Sequence, residues 1–202
     1  MQLDLSNYEV GLVNTTIEAQ AGLSVSAKVY SLENKLLLQQ KENRDVGADS
    51  MAEGFKLDLA PLFANGVLLV KLELRNAGGQ LLSDNLYWLA AQSSVYRQLN
   101  RLSAASVSAT ANWKRTGDSA HVQVRLENRG SSAALENKLT LLDSMGARIL
   151  PAYYSDNYVS LLPGESREIE IEYPATAAQG TPKLSIRGWS LTSATLTVEE
   201  KK

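Results

Sequence analysis

Apolar and polar side chains alternate with period two over most of the chain, the spacing that turns one face of a β-strand to a core and the other to water. Leu23, Val25, Ala27 and Val29 share one face of a first run, opposite Ser24, Ser26, Lys28 and Tyr30. Leu68, Val70, Leu72 and Leu74 form the inward face of a second, with Leu69, Lys71, Glu73 and Arg75 outward. This run stops at Asn76-Ala77-Gly78-Gly79, a cluster that accepts positive backbone φ, and the chain returns over residues 81–89, which predicts a hairpin. The pattern restarts after Ser103. Val107, Ala109, Ala111 and Trp113 face one way, Thr116-Gly117-Asp118 turns the chain, and Ala120, Val122, Val124 and Leu126 face inward in a second hairpin. Further strands are predicted over residues 139–142, 148–152, 167–173, 184–189 and 191–198, separated by Gly- or Pro-bearing turns such as Leu162-Pro163-Gly164-Glu165. Roughly seven short strands in each half is the pattern of an antiparallel sandwich.

The 202 residues are too many for one immunoglobulin-sized sandwich of about 100 residues and suit two. Between the halves, Ala90-Ala91-Gln92-Ser93-Ser94 is small and polar, and Val95, Leu99 and Leu102 are spaced for one or two helical turns. The predicted fold is therefore all-β, two tandem immunoglobulin-like antiparallel β-sandwiches. The first spans residues 1–92, a linker with a short helical turn spans 93–104, and the second sandwich spans 105–202. Leu72-Glu73-Leu74-Arg75-Asn76 and Val124-Arg125-Leu126-Glu127-Asn128 echo each other as shared hairpin chemistry, without the identity that would argue a duplication.

Composition then removes whole classes of function. Hydrophobic residues at 44% and charged residues at 21% describe a chain that folds. Twenty Lys and Arg against 22 Asp and Glu leave a net charge of −2, with no basic excess for a nucleic-acid backbone, so no nucleic-acid partner is expected. The absence of cysteine excludes disulfides, thiolate metal sites and a cysteine nucleophile. No apolar run is long enough to span a bilayer, and the first twenty residues, which include Asp4 and Glu9, lack a basic start followed by an apolar stretch.

Catalytic groups are equally sparse. The single histidine, His121, falls on the face opposite Ala120, Val122, Val124 and Leu126, and no Gly-x-Ser-x-Gly elbow accompanies it. One histidine without cysteine is too few for a zinc site, so neither a metal nor a cofactor is expected. Glu168, Glu170 and Glu172 alternate with Ile169, Ile171 and Tyr173, which makes them the outer row of one strand. A glycosidase needs two carboxylates facing each other across a cleft in environments that separate their pKa values, and one exposed row provides neither. No catalytic residue is expected.

Aromatic side chains are the remaining route to recognition, because flat rings stack on sugar faces and apolar partners. Trp113 shares the inward face of its strand, and Trp88 shares a face with Leu82 and Leu86, so both are expected as core plugs. Trp189 falls with Ser185 and Arg187, opposite Leu184 and Ile186, and is expected to be exposed or interfacial unless Gly188 marks a bulge. Tyr153-Tyr154-Ser155-Asp156-Asn157-Tyr158 is the densest polar-aromatic cluster in the chain. It is either a loop that contacts sugar or a partner, or a strand-to-strand corner whose Asp156 and Asn157 bond their own backbone, and these residue types favour structure or interdomain packing. The candidate contact residues are thus Tyr153, Tyr154, Asp156, Asn157, Tyr158 and Trp189. Asn14-Thr15-Thr16 is a formal glycosylation triplet, meaningful in a secretory eukaryotic source.

Ile149-Leu150-Pro151 running into Tyr154-Ser155-Asp156-Asn157-Tyr158-Val159-Ser160-Leu161-Leu162-Pro163-Gly164-Glu165-Ser166 resembles the C-terminal part of glycoside hydrolase family 2, in particular its exo-β-glucosaminidases and mannosylglycoprotein endo-β-mannosidases. Leu82-Ser83-Asp84-Asn85-Leu86-Tyr87-Trp88-Leu89, then residues 96–102, and the late Ile186-Arg187-Gly188-Trp189-Ser190 agree with it in order. The resemblance implies two non-catalytic immunoglobulin-like domains of a larger enzyme, acting on β-glucosaminides or β-mannosides, in which a catalytic barrel carries the two glutamates. No catalytic glutamate carries over to this chain, and Glu165 is a turn residue. The implied partner is the barrel, which the domains would support, and a saccharide at its entrance. By similarity to secreted glycan-degrading enzymes, the implied parent is periplasmic or extracellular. An autonomous carbohydrate-binding module and an extracellular adhesion or assembly module remain open beside this reading.

Overall fold

The computed structural model describes residues 1–201 and divides the chain into two compact units, Met1–Arg101 and Leu102–Lys202. The first unit contains β1 (Gln2–Leu3), β2 (Glu9–Asn14), β3 (Gln20–Tyr30), β4 (Leu36–Val46), β5 (Ser50–Lys56), β6 (Leu68–Arg75) and β7 (Leu81–Leu89). These form a three-stranded sheet, β1-β2-β5, and a four-stranded sheet, β4-β3-β6-β7. Leu23, Val25, Ala27 and Val29 of β3 are buried, as their alternation predicts, and Val25, Ala27 and Val29 share one core with Val10 and Leu12 of β2 and with Leu68, Val70 and Leu72 of β6. Burying such aliphatic side chains contributes about 1.5–3 kcal/mol each and drives the two sheets together. The β6–β7 hairpin turns where Asn76-Ala77-Gly78-Gly79 predicts it, with Gly79 at φ 82° and its N–H on Asn76 O. The segment over residues 93–101 is a 3₁₀ helix, with Leu99 buried.

The hairpin corrects one expectation. Trp88 does not plug the core. The register pairs Val70 with Tyr87 and Leu72 with Asn85, which puts Tyr87 on the core side, and pairs Leu69 with Trp88 and Lys71 with Leu86 on the other. Tyr87 packs on the core, and its hydroxyl accepts the Leu3 N–H at 3.0 Å. Residues 81–89 carry apolar groups in both phases, so alternation within that strand could not choose the face. The outward side of β6 is not a solvated surface either: Leu69 is fully buried and Lys71 is 6% exposed, with its Nζ 2.6 Å from Asp84 Oδ2.

The second unit contains β8 (Val107–Thr116), β9 (Ser119–Asn128), β10 (Ala134–Leu142), β11 (Tyr153–Tyr154), β12 (Val159–Leu161), β13 (Ser166–Pro174), β14 (Lys183–Arg187), β15 (Ala194–Thr197) and β16 (Glu199–Glu200). A four-stranded sheet, β12-β10-β14-β15, faces a five-stranded sheet, β11-β13-β9-β8-β16, in which only β16 pairs in parallel. Val122, Val124 and Leu126 of β9 meet Ile169 and Ile171 of β13, and Leu139, Leu141, Leu184 and Ile186 close the core from the other sheet. Trp113 packs against this core as predicted. Residues 148–152 do not form the predicted strand: Arg148 makes an isolated bridge to Leu142, and the chain then bends through a cis Leu150-Pro151 bond into β11. Proline cannot donate to a ladder, which is the physical reason the run fails as a strand.

Three buried asparagines act within their own sandwiches in one recurring way. Asn14 Nδ2 donates to Glu18 O at 2.7 Å and Gly47 O at 2.8 Å. Asn128 Nδ2 donates to Ser132 O at 2.8 Å and Leu161 O at 3.0 Å. Asn137 Nδ2 donates to Ala134 O at 2.9 Å and Val159 O at 2.7 Å. Each amide satisfies two carbonyls that a strand end or bulge leaves off the ladder, and leaving such groups unpaired would cost about 1–3 kcal/mol apiece. The glycosylation triplet at Asn14 is therefore a structural clip, with its Oδ1 also accepting Thr16 N–H at 3.0 Å.

Candidate functional site

The candidate residues lie in the second unit on two elements. β11 places Tyr153 opposite Glu172 and Tyr154 opposite Ile171, at the edge of the five-stranded sheet. Tyr154 turns inward, packs on the core and accepts the Leu141 N–H on its hydroxyl at 2.8 Å. Burial pushes its phenol above the ordinary value near 10.0, against the opposing pull of that N–H and of Arg148 and Lys138. Tyr153 turns outward and is 66% exposed. Ser155 closes the corner by donating its N–H to Glu170 O at 2.8 Å and accepting Glu170 N–H on its hydroxyl at 2.9 Å.

Asp156 Oδ1 accepts the Asn157 N–H at 2.8 Å, and its Oδ2 lies 3.9 Å from Arg167 Nε. Asn157 works as a clip. Its Oδ1 accepts the Leu139 and Tyr158 N–H groups at 2.8 and 2.9 Å, and its Nδ2 donates to Leu139 O at 3.1 Å, so the amide imitates a strand partner for β10. Tyr158 sits at positive φ, 57°, half exposed, with Lys138 Nζ 5.2 Å from its ring centroid, a cation–π contact. Trp189 follows β14, is 53% exposed, and donates its backbone N–H to Leu135 O at 2.9 Å. Gly188 lets this turn approach: a Cβ there would lie 2.5 Å from Asn137 Oδ1. The structure thus brings residues 153–158 together at one corner over β10 and puts Trp189 further along the same strand, toward Leu135.

Glu165 takes the turn role expected of it. Its carboxylate accepts the Leu162 N–H at 2.9 Å, and Gly164 at φ 82° completes the turn. The glutamate row is exposed, and the register shows what stands beside it. Glu168 pairs with Arg125 and then Thr110, and Glu170 pairs with Gln123 and then Asn112. Arg125 Nη1 reaches Glu168 Oε1 at 3.2 Å, and His121 Nδ1 lies 3.3 Å from Glu170 Oε1. Thr110, Asn112, Gln123, Arg125, Glu168 and Glu170, with Ser155, line an open depression of about 480 Å³. Sequence reasoning missed it, because β9 and β13 meet across a long stretch of chain and only the pairing sets their polar faces side by side. Among the described residues, no group of three or more His, Asp or Glu side chains is arranged to hold a metal ion, and no helix is long and apolar enough to cross a membrane.

These sandwiches match two family models, the exo-beta-D-glucosaminidase Ig-fold domain over residues 85–191 and the mannosidase Ig/CBM-like domain over residues 6–92. The chain belongs to the exo-beta-D-glucosaminidase Ig-fold domain family and is built of the immunoglobulin-like domains of glycoside hydrolases. It is 28% identical to the exo-beta-D-glucosaminidase of Amycolatopsis orientalis over 97% of its own length and 21% of that protein's. It is 30% identical to the Hypocrea virens exo-beta-D-glucosaminidase over 81% of its length and 21% of the relative's. The mannosylglycoprotein endo-beta-mannosidase of Lilium longiflorum matches at 23% identity over 94% of the chain and 26% of the relative. The crystal structure of Amycolatopsis orientalis exo-chitosanase CsxA superposes with a TM-score of 0.88 at 26% identity, over 98% of this chain and 26% of that one. The chain therefore spans about a fifth to a quarter of the length of the curated relatives it matches. Both models that match describe immunoglobulin-like domains of such enzymes.

Proposed function

We propose that this chain serves as the accessory domains of a family 2 glycoside hydrolase acting on β-glucosaminides or β-mannosides, supporting its catalytic barrel and shaping the substrate entrance. The observation that carries the reading is that two family models of glycosidase immunoglobulin-like domains, overlapping at residues 85–92, together account for residues 6–191. Within it, exposed Tyr153, Asp156, Tyr158 and Trp189 supply contacts to the barrel or to a saccharide, while Tyr154 and Asn157 spend their polar groups on the fold and hold that surface in place. Immunoblotting the source cells with antibody to the chain tests this. A band several times larger than 22.0 kDa is expected. A band at the size of the chain, or turnover of an aryl glucosaminide by the rigorously pure chain, would overturn it.

A further inference from the structure

We propose that the depression on the outer face of the five-stranded sheet is a binding site for a protonated amino saccharide; this rests on the glucosaminide reading above. Strand pairing builds it as two rows, Glu168–Arg125–Thr110 and Glu170–Gln123–Asn112. Neighbouring strands stand about 4.8 Å apart and the rows about 6.8 Å apart, a polar platform on the scale of one or two sugar rings. The rows mix the groups that a sugar needs. Gln123 and Asn112 each donate and accept, Thr110 offers a hydroxyl, and Arg125 donates only.

The charge balance selects the ligand. Glu168 and Glu170 stand beside one guanidinium, Arg125, and the neighbouring row Glu172–His121–Lys114 adds one carboxylate and one ammonium, so carboxylates outnumber the Lys and Arg cations on this face. Glu168 and Glu170 are each engaged by a long contact, 3.2 Å to Arg125 and 3.3 Å to His121, and both remain largely exposed. Their remaining lone pairs can take an ammonium and adjacent hydroxyls by charge-assisted hydrogen bonds. Glu199, paired with Asn112 through β16, extends the acidic rim on the far side. Recognition here runs through charge and hydrogen bonding rather than ring stacking, which separates this site from the tyrosine corner.

Heteronuclear NMR on the 202-residue chain, titrated with a glucosamine trisaccharide bearing free amines and with its N-acetylated counterpart, tests the proposal. The expected result is movement of the backbone and side-chain amides of Asn112 and Gln123. Affinity should be about threefold or more weaker for the acetylated sugar, and similarly weakened by Glu170→Gln. Gln123→Ala, which leaves the charges intact, should weaken both sugars together. Unmoved platform amides at about 20 mM sugar, equal affinity for the two sugars, or shifts confined to Tyr153, Tyr158 and Trp189 would each overturn it. Failure of the accessory-domain reading would show separately, as a native product the size of this chain.

Discussion

Truncation of Asn128 to alanine is the sharpest test of how the second sandwich is held. The side chain is fully buried, and it makes three hydrogen bonds: Nδ2 to Ser132 O at 2.8 Å and Leu161 O at 3.0 Å, and Oδ1 from Gly130 N–H at 3.1 Å. Its backbone also bridges to the next turn, N–H to Glu165 O and O from Gly164 N–H, both at 2.9 Å. Alanine keeps the backbone bonds and deletes the three from the side chain, leaving two carbonyls and one N–H without that partner. At about 1 kcal/mol net per bond, with a further penalty for groups that water cannot reach, the loss is about 3–4 kcal/mol. For a unit of about 100 residues that lowers the melting temperature by roughly 12–25 °C. Thermal unfolding of Asn128→Ala should be followed through resolved NMR signals of Val122 and Ile171, so that the second unit is read on its own. Glu168→Gln on the exposed face serves as the control and should change the stability by less than about 0.5 kcal/mol. A loss below about 1 kcal/mol in Asn128→Ala would refute the reasoning, because it would mean that the bridged carbonyls find other partners.

Gly188→Ala must push its Cβ away from Asn137 Oδ1 and Leu135 O, 2.5 and 3.1 Å distant, and should cost about 1–3 kcal/mol by chemical denaturation; a neutral substitution would show that the turn has slack. Tyr87→Phe removes the acceptor of the Leu3 N–H, so hydrogen exchange at Leu3 should accelerate about fivefold or more while the core amides of β3 hold their protection. Burial raises the Tyr154 and Tyr173 phenols above 10.0, which makes their contribution to stability complete below that pH and progressively lost as pH rises through the folded values. Denaturation of the second unit across pH 9 to 12 should therefore show stability falling above about 10, with a shallower fall in Tyr154→Phe; a flat profile would contradict the burial assigned to these rings. If the chain passes through a eukaryotic secretory route, a glycan on Asn14 should appear by mass spectrometry only in the unfolded or aggregated fraction, because its Nδ2 is committed to Glu18 O and Gly47 O.

Clean alternation made much of the sandwich legible: β3, β8, β9 and β13 lie where Leu23-to-Val29, Val107-to-Trp113, Ala120-to-Leu126 and Ile169-to-Tyr173 put them. β4 escaped notice because Gln39, Gln40, Lys41, Glu42, Asn43 and Arg44 give it no apolar face, as suits a strand at the sheet edge. β2 escaped because Gly11 and Val13 blur the phase that Val10 and Leu12 set. The asparagine clips were hidden for a different reason. Nothing in the sequence distinguishes a surface asparagine from one whose amide spans two carbonyls, since Gly47 and Leu161 are brought to Asn14 and Asn128 only by sheet packing. The corner at residues 153–158 was visible as composition, but which tyrosine faces out depended on β11 pairing with β13.

Sequence alone determined the cleanly alternating strands, the hairpin turns at Gly79 and Gly117, and an inventory of one histidine and no cysteine, too small for most catalytic and metal chemistry. Those properties are local or compositional: period, turn residues and side-chain inventory are written along the chain. Tertiary structure alone decided that Tyr87 rather than Trp88 enters the core, that Asn14 is sealed, and that Glu168 and Glu170 share a platform with Arg125, Gln123 and Asn112. Each depends on register between strands distant in sequence, and a shift of a single residue would turn every one of those side chains to the opposite face.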